Sequence, residues 1–266
     1  MCRFCFCELS KEQLSKRCAY KKNDIEHDIP WNNDDIFVDY QPSNILQPKS
    51  NSLPVIVNGL HLQKPEDPLF CPMYWNFIPH WYKDDINEWK GVTHNARIEN
   101  IYENKIYSAS LKQGKRCVVV MEGFFEFKKT GTQPAEVYYL HSSDNNLLKA
   151  AGLFSTTKLH SGEILRSCTV ITTESHNNLR KIHHRMPLLL NRDADFQSWL
   201  DFKNVSPTDA VTQIKANCQN DLKFYKTSKM GSRELQDTKK NVGSKSIMSN
   251  WLKTESNKGV KRKAND

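Results

Sequence analysis

The 266-residue sequence has few glycines and no long apolar segment, and each absence excludes a class of protein. Only 10 glycines are present and no glycine-rich loop follows a predicted strand, which disfavours a nucleotide-binding doubly wound fold. No repeat is visible that would indicate a solenoid or a propeller. No apolar run approaches the about 20 residues of a membrane-spanning helix. The N-terminus carries Glu8 and lacks the apolar core of a signal peptide, so we expect neither membrane insertion nor secretion.

Eight cysteines occur without a secretory signal, which fits a reducing compartment in which thiols do not form disulfides. Cys2, Cys5 and Cys7 form a C-x2-C-x-C pattern, and zinc sites often begin with such a cluster. No second cysteine pair or histidine pair follows to complete four ligands. The sequence therefore predicts no metal site and no cofactor, and a zinc-stapled interaction module remains the alternative.

The net charge of +8 is concentrated at the C-terminal end of the chain. Ten Lys or Arg and four Asp or Glu lie between Lys229 and Asp266, which gives +6 and leaves +2 for residues 1–228. This segment is rich in Ser, Asn and Lys and poor in apolar residues, a composition typical of disorder. We therefore predict one domain over residues 1–230 and a disordered basic tail over residues 231–266.

Two patterns in the tail indicate partners. Lys258 and the run Lys261-Arg262-Lys263 are typical of nuclear import signals, although a solvated charge run has the same composition. Met248, Trp251 and Leu252 resemble the box that binds the replication sliding clamp, without its usual Gln. The sequence thus predicts a nuclear protein at replication forks with the sliding clamp as a candidate partner, or else an incidental hydrophobic patch in the tail.

Short β-rich segments recur between residues 50 and 230 and indicate a mixed sheet. The predicted strands are Pro54–Val57, Cys117–Met121, Glu136–Leu140, Leu148–Leu153, Ser167–Thr173 and Leu222–Lys226. The predicted helices are Ser10–Tyr20, Glu174–Ile182, Asp193–Phe202 and Ser206–Cys218, the last with Ser206 as its N-cap. Strict alternation of strands and helices is missing. We therefore predict an α+β fold in which peripheral helices surround a mixed sheet.

Cys2 stands at a position with unusual chemistry. A small second residue allows Met1 to be removed, which would leave an α-amine and a thiol on one residue. An α-amine has a pKa of about 7.7–8.0 and a cysteine thiol about 8.5, so both are partly nucleophilic near neutral pH. Such a pair attacks an aldehyde to give an imine and then a thiazolidine ring. An ordinary cysteine in a frayed terminus is the alternative.

Three segments place polar residues at turns between apolar runs: residues 95–99 (NARIE), 122–127 (EGFFEF) and 182–187 (IHHRMP). Each has a structural interpretation when taken alone. Arg97 would form a salt bridge, Glu126 would be a surface carboxylate, and His183 would be a core histidine. Their occurrence together, in this order, is the more informative observation.

These segments and Met1-Cys2 together resemble the SRAP (SOS response-associated peptidase) family over residues 1 to about 227. The matching segments also include residues 72–79 (PMYWNFIP) and 151–154 (AGLF). The resemblance implies a single α+β domain with a mixed, barrel-like β core. It also implies a monomer whose cleft is open to single-stranded DNA and which traps ring-opened abasic sites through Cys2.

The resemblance implies catalytic roles for four residues. Cys2 is the nucleophile, Asn95 holds its terminal amine, and Glu126 and His183 act as acid and base groups. The chain would then be a thiol-dependent enzyme that crosslinks to abasic sites and so protects them during replication. Lyase and autopeptidase activities would accompany the crosslinking.

The resemblance also implies a DNA-binding set. Arg97 and Arg185 would bind phosphates, and Trp75 would stack on a base unless it is a buried aromatic. A non-catalytic reader of single-stranded or modified DNA, acting through these three residues, is the alternative function. The chain departs from the family at Arg3-Phe4, where the family has Gly-Arg, so one phosphate contact is in question.

Overall fold

The computed structural model describes residues 3–34, 38–131, 133–216 and 222–231. The strands are β1 Phe4–Cys7, β2 Tyr20–Lys22, β3 Ile25–His27, β4 Ser43–Leu46, β5 Ser52–Asn58, β6 Pro68–Trp75, β7 Asn95–Arg97, β8 Arg116–Met121, β9 Gly123–Thr130, β10 Gln133–Ser142, β11 Leu148–Lys158, β12 Ile164–Glu174, β13 Arg185–Pro187 and β14 Leu222–Thr227. The α-helices are α1 Lys11–Arg17, α2 Ser108–Lys112, α3 Asp193–Leu200 and α4 Pro207–Ala216. Short 3₁₀ turns lie at Gly59–Leu62, Ile86–Glu88, Ile98–Asn100 and Asn177–Lys181.

Five strands close into a barrel. Each strand in the order β11-β8-β5-β6-β12 pairs with the next, and β12 pairs with β11 to complete the ring. The pairs are antiparallel except β6 with β12, which is parallel. Closure leaves these strands without open edges, and β5 and β8 are buried along their whole length. The predicted α+β fold with a mixed, barrel-like core is confirmed.

Two short strands extend the barrel at the C-terminal end of β12. The strand β7 runs parallel to β12, with Asn95 opposite Val170, and β13 runs antiparallel to it, with Arg185 opposite Glu174. Both strands are three residues long. Two of the polar segments found in the sequence, 95–99 and 182–187, therefore meet on the same barrel strand.

A second sheet, entirely antiparallel, has the order β14-β10-β9-β1-β4. The chain passes from the barrel strand β8 into β9 with only Glu122 between them. The backbone N–H of Glu122 donates to the carbonyl of Phe6 at 2.9 Å, and its carboxylate accepts the N–H of Glu8 at 2.7 Å. The N-terminal strand β1 is thus fixed inside this sheet, beside the segment that leaves the barrel.

Local signals explain where the helices begin. Ser10 and Gln13 form a capping box at the start of α1, each side chain bonding the other's backbone N–H. The hydroxyl of Ser206 accepts the N–H of Asp209 at 3.1 Å, which confirms the predicted N-cap of α4. The indole N–H of Trp199 on α3 donates to the carbonyl of Cys117 at 2.8 Å and joins that helix to β8.

The helix predicted over Glu174–Ile182 is wrong. Glu174 is the last residue of β12, and the chain then forms a 3₁₀ turn over Asn177–Lys181. The β-branched residues before Glu174 favour continuation of the strand, and pairing with β13 reaches Glu174 itself. The other three predicted helices are confirmed in part: Tyr20 belongs to β2, α3 ends at Leu200, and Cys218 lies outside the described residues.

Among the described residues, no helix has both the length and the apolar character needed to cross a bilayer. The predicted tail over residues 231–266 lies outside the described part of the chain, apart from Gly231. The domain boundary near residue 230 stays a prediction.

Candidate active site

Asn95 and Arg97 project from β7 beside the end of β12. Asn95 is half-buried, and its carbonyl accepts a hydrogen bond from the hydroxyl of Tyr107 at 3.3 Å. Arg97 lies opposite Thr172 and is exposed. The exposed guanidinium remains available to a phosphate, which is what the predicted role of Arg97 requires.

His183 lies between the 3₁₀ turn and β13, and its ring is tied to the backbone of Arg185. The Nδ1 atom accepts the N–H of Arg185 at 3.1 Å and lies 3.2 Å from the carbonyl of the same residue. Burial lowers the pKa of His183 to about 4, and the positive charge of Arg185 acts in the same direction. The imidazole is therefore neutral at neutral pH and able to accept a proton. His184 is exposed and stacks on His183, with ring centroids 4.5 Å apart.

Arg185 is buried, with 5% of its surface exposed. Its two terminal nitrogens donate to the carboxylate of Glu99 at 2.8 and 2.9 Å, and one of them also donates to the carbonyl of Thr172 at 2.6 Å. In this structure the guanidinium of Arg185 is therefore bound by protein groups, Glu99 and Thr172. Its predicted contact with a DNA phosphate stays a prediction, and that contact would have to share the guanidinium with Glu99.

Glu126 lies on β9 next to the first residues of β1. The ladder pairs Phe4 with Phe125, so the chain N-terminal to Phe4 runs toward Glu126. On its other side Glu126 is opposite Tyr138 of β10, and only 3% of its surface is exposed. Glu126 is therefore a buried carboxylate, not the surface carboxylate of the structural alternative. Burial of this kind is how proteins tune a carboxyl group for proton transfer.

An electrostatic interaction connects the start of β1 with the residue before Asn95. Burial, together with the positive charges of Arg3 and Lys49, lowers the pKa of His94 to about 4. Arg3 is itself exposed. The register of the β1–β9 ladder thus leads from Phe4 toward Arg3 and Glu126, and the charge of Arg3 acts on the ring of His94.

The structure does not support base stacking by Trp75. Its side chain is fully buried, and its indole N–H donates to the carbonyl of His94 at 3.0 Å. A ring without an exposed face cannot stack on a base, so the structure favours the buried aromatic, which was the alternative interpretation. Trp75 instead holds the backbone of the residue that precedes Asn95.

Trp81 is an exposed aromatic that the sequence analysis did not single out. It is 55% exposed and packs edge-on against Trp89, with ring centroids 5.8 Å apart. Trp89 donates from its indole to the hydroxyl of Thr93 at 3.2 Å, and Lys49 donates to the carbonyl of Trp89. The loop that leads into His94-Asn95 therefore presents an exposed aromatic ring on a surface with charges of both signs. Trp81 lies two residues after the segment 72–79, and its place beside that motif is the signal in the sequence that could have identified it.

Several predicted residues lie outside the described part of the chain: Cys2 at the N-terminus and Met248, Trp251 and Leu252 in the tail. Cys5 and Cys7 are buried in β1, and burial raises the pKa of Cys7 to about 11. A high thiol pKa opposes metal binding because the ligand is the thiolate. Within the described residues no group of three His, Cys, Asp or Glu side chains is arranged to hold a metal ion.

Sequence comparison finds relatives over most of the chain. The family model described as SOS response associated peptidase (SRAP) matches residues 1–231. A mouse protein named abasic site processing protein HMCES is 30% identical in an alignment 302 residues long, gaps included. The alignment covers 97% of this chain and 84% of the mouse protein. The protein of the same name from Xenopus tropicalis is 34% identical over 235 residues, covering 80% and 70%. A Bacillus subtilis protein named abasic site processing protein YoaM is 30% identical over 210 residues, covering 77% and 88%.

Solved structures of bacterial proteins share the fold. A protein from Bordetella bronchiseptica aligns with a TM-score of 0.64 at 18% identity and covers 86% of this chain and 100% of its own. A protein from Bacteroides thetaiotaomicron gives a TM-score of 0.63 at 18% identity, covering 85% and 91%. The residues that the family model matches, 1–231, include β7, β9 and β13. The chain belongs to the SRAP (SOS response-associated peptidase) family.

Proposed function

We propose that this chain senses abasic sites in single-stranded DNA and crosslinks to them covalently through Cys2 after Met1 is removed. The relatives named above are abasic site processing proteins. The observation that carries the proposal for this chain is the pairing of Phe4 with Phe125, which directs the N-terminal segment toward the buried Glu126. The antiparallel register continues from Phe4 and Phe125 toward Arg3 and Glu126, and this direction supports proton transfer between Glu126 and Cys2.

The proposed reaction begins with the open-chain sugar of the abasic site, whose C1 is an aldehyde. The α-amine of Cys2 adds to this carbon, and the carbinolamine loses water to form an imine. The thiolate of Cys2 then adds to the imine carbon, and the nitrogen takes up a proton to complete the thiazolidine. One C–N and one C–S bond form, the C=O bond is lost, and one water leaves, so no oxidant or reductant is consumed. The second step is intramolecular and is favoured by proximity.

Glu126 and His183 supply the proton transfers in this proposal. Opening the sugar ring requires a proton on the ring oxygen, and dehydration of the carbinolamine requires a proton on its hydroxyl, which are tasks for Glu126. His183, neutral because its pKa is about 4, accepts the proton released by the amine or the thiol. Asn95 holds the terminal amine. The same groups run these steps in reverse for crosslink release, and they serve as acid and base in the associated lyase and autopeptidase reactions.

Exposed groups near Asn95 carry the proposed DNA binding. Arg97 is exposed on β7 and binds a phosphate next to the lesion. Trp81, which is 55% exposed, stacks on a base in the role that Trp75 cannot fill. Arg185 is buried, so a second phosphate contact would require its guanidinium to turn partly away from Glu99. The tail, with its predicted clamp-binding and nuclear import segments, brings a monomeric enzyme to replication forks.

The test is to mix the protein with a single-stranded oligonucleotide that contains one abasic site, without reductant. We expect a denaturation-resistant adduct with the mass of the protein lacking Met1 plus the oligonucleotide minus one water. Cys2→Ala should give no such adduct. An uncleavable N-terminal extension should also prevent it, although that variant keeps the Cys2 thiol, because the α-amine is no longer on Cys2.

A heat-stable adduct at full yield from either variant would refute the aminothiol mechanism. Tight binding of the oligonucleotide by the unchanged protein, without any adduct, would instead support the non-catalytic reader of single-stranded DNA.

A further inference from the structure

One buried side chain joins the two ends of the segment between β6 and β7. This segment includes the aromatic loop, residues 78–92, which contains two tryptophans. Asn76 precedes the loop and has only 1% of its surface exposed. Its Oδ1 accepts the backbone N–H of Thr93 at 2.9 Å, and its Nδ2 donates to the carbonyl of Gly91 at 3.2 Å. Asn76 therefore closes the aromatic loop at its base.

The two partners determine how the amide of Asn76 is oriented. A backbone N–H can only donate and a carbonyl can only accept, so Oδ1 faces Thr93 and Nδ2 faces Gly91. The backbone N–H of Phe77 adds a longer bond to the carbonyl of Thr93, at 3.4 Å. Removing the amide would take one hydrogen bond from Thr93 and one from Gly91, and it would leave a buried space between them.

Thr93 connects this base to the first of the two tryptophan rings. Its hydroxyl proton is donated to the carbonyl of Phe77 at 2.6 Å, and Oδ1 of Asn76 lies 3.1 Å away as a second acceptor. The indole N–H of Trp89 can only donate, so the oxygen of Thr93 accepts it, at 3.2 Å. The ring of Trp89 also lies against Gly91, where an added Cβ would come within 2.5 Å of the ring. Both groups that Asn76 binds are thus in contact with Trp89.

Trp81 is supported by the ring of Trp89. The two rings pack edge-on with their centroids 5.8 Å apart, and Trp81 is 55% exposed. A side chain that is already ordered binds more tightly than one that has to be ordered when its partner arrives. The contacts from Asn76 through Thr93 and Gly91 to Trp89 therefore favour binding by Trp81.

Asn95, beyond the loop, is held by other groups. It lies opposite Val170 in the β7–β12 ladder, and its carbonyl accepts the hydroxyl of Tyr107 at 3.3 Å. The carbonyl of His94 accepts the backbone N–H of Val170 at 3.0 Å. Loss of the Asn76 amide should therefore change the aromatic loop more than it changes Asn95.

We propose that Asn76 is a positioning residue, which closes the aromatic loop so that Trp81 is held in place to stack on a base of the DNA strand. The proposal rests on the proposed function, in which Trp81 binds DNA, but it does not depend on the chemistry at Cys2. Asn76 acts through Thr93 and Trp89 and does not itself contact the strand.

The experiment measures how Asn76→Ala and Trp81→Ala combine in their effects on DNA binding by the full chain. Fluorescence anisotropy with a labelled, unmodified single strand gives the affinity of the unchanged protein, of each single variant and of the double variant. The crosslinking rate at saturating abasic oligonucleotide is measured in parallel. ¹H–¹⁵N spectra of the indole groups report the bond from Trp89 to Thr93, with the Trp89 signal assigned by its loss in Trp89→Phe.

Asn58→Ala is the matched control. Asn58 is also buried, its Oδ1 accepts the N–H of Leu60 at 3.0 Å, and its Nδ2 donates to the carbonyl of Leu200 at 3.4 Å. It lies opposite Pro68, the first residue of β6, whereas Asn76 follows the last. Asn58→Ala should therefore leave the affinity, the saturated rate and the Trp89 signal as they are in the unchanged protein.

We expect Asn76→Ala to weaken binding about three- to tenfold, the size expected when one side chain has to be ordered on binding. The saturated crosslinking rate should stay within about twofold of that of the unchanged protein. In the Trp81→Ala background, Asn76→Ala should change the affinity by less than about 1.5-fold, because the ring that it positions is gone. The Trp89 indole signal should shift, and its proton should exchange faster with water.

If Asn76→Ala does not fold, Thr93→Val takes its place. Valine has the shape of threonine but gives the indole N–H of Trp89 no acceptor, so binding should weaken only while Trp81 is present. Thr93→Ser keeps the hydroxyl and should keep most of the affinity.

Equal losses of affinity with and without the Trp81 ring would overturn the proposal, because Asn76 would then act by another route. So would an unchanged affinity, an unaltered Trp89 signal, or a saturated rate that falls as much as the affinity. Undiminished DNA binding by Trp81→Ala would also overturn it. Absence of an adduct from the unchanged protein would refute the crosslinking mechanism alone, and the affinity measurements would still decide the role of Asn76.

Discussion

Glu126 is a buried carboxylate beside the N-terminal strand. One substitution tests whether it acts by proton transfer or only by filling space. Glu126→Gln preserves the size of the side chain but cannot exchange a proton. We expect the single-turnover rate of crosslinking to fall about 10²–10⁴-fold, while affinity for an unmodified strand is unchanged. Denaturing gels of samples quenched over time measure the rate.

The control for this substitution is Glu136→Gln on the adjacent strand β10. Glu136 pairs with Lys226 at the surface, and it lies opposite Lys128, two positions along the ladder from Glu126. Exposed ion pairs contribute little, so its crosslinking rate should match that of the unchanged protein. A rate for Glu126→Gln equal to that of the control would make Glu126 a structural carboxylate.

Trp81 and Trp75 are the same residue type in opposite environments, so their substitutions should have opposite effects. Trp81→Ala should weaken single-strand binding by about 1–3 kcal/mol, as loss of a stacked base does, and leave the melting temperature nearly unchanged. Trp75→Ala should instead lower the free energy of unfolding by about 3–5 kcal/mol, because it empties a fully buried site. Fluorescence anisotropy and thermal unfolding distinguish them. Undiminished DNA binding by Trp81→Ala would remove Trp81 from the proposed interface.

The buried His94 should make the free energy of unfolding depend on pH. Its pKa is about 4 in the folded protein and 6.5 as the ordinary value. Between these pH values the unfolded chain binds a proton at His94 that the folded protein does not bind. The contribution of neutral His94 to the free energy of unfolding is therefore complete above about pH 6.5 and decreases as the pH falls. The loss from this group is about 2 kcal/mol at a pH of about 5. His94→Phe keeps a ring against Trp75 and should flatten the decline in urea denaturation series. The same decline in both proteins would contradict this.

At the scale of elements, β-branched residues are a local signal for two of the predicted strands, Cys117–Met121 within β8 and Ser167–Thr173 within β12. The strand β6 was not predicted because it contains Pro68 and Pro72, which cannot donate to a ladder. In the structure Pro72 lies opposite Pro54, so both missing donors fall at one ladder position. That compensation depends on pairing between strands and has no local signal.

The strand β9 is a second element whose environment cannot be predicted from its own segment of sequence. The polar residues Glu122 and Glu126 on either side of Gly123-Phe124-Phe125 predict a turn between apolar runs. The flanking strands β1 and β10 convert this segment into a central strand and bury Glu126. Burial of a candidate acid thus came from its neighbours in the sheet, which a single segment cannot reveal.

At the scale of the whole molecule, resemblance to a family identified candidate site residues but not how they are arranged. Asn95 and Arg185 are far apart in sequence and meet because β7 and β13 both pair with the end of β12. The bond between Glu99 and Arg185 likewise depends on that meeting. Only tertiary packing decides that a guanidinium predicted to face DNA is mostly covered by a carboxylate and a threonine.

The distribution of charge over the whole molecule leads to a last prediction, for the chain truncated after residue 235. Every residue placed in the acid–base and DNA-binding groups precedes this point, and the family model ends at residue 231. The crosslinking rate at saturating DNA should therefore equal that of the full chain. The removed segment carries eight of the Lys and Arg residues, so affinity for any single strand should fall and its dependence on salt should weaken, by about 0.7 in log–log slope for each lost phosphate contact. Replacing Lys261, Arg262 and Lys263 by Ala in the full chain should give part of this change. A truncated chain with a reduced saturated rate would show that the tail takes part in the reaction itself.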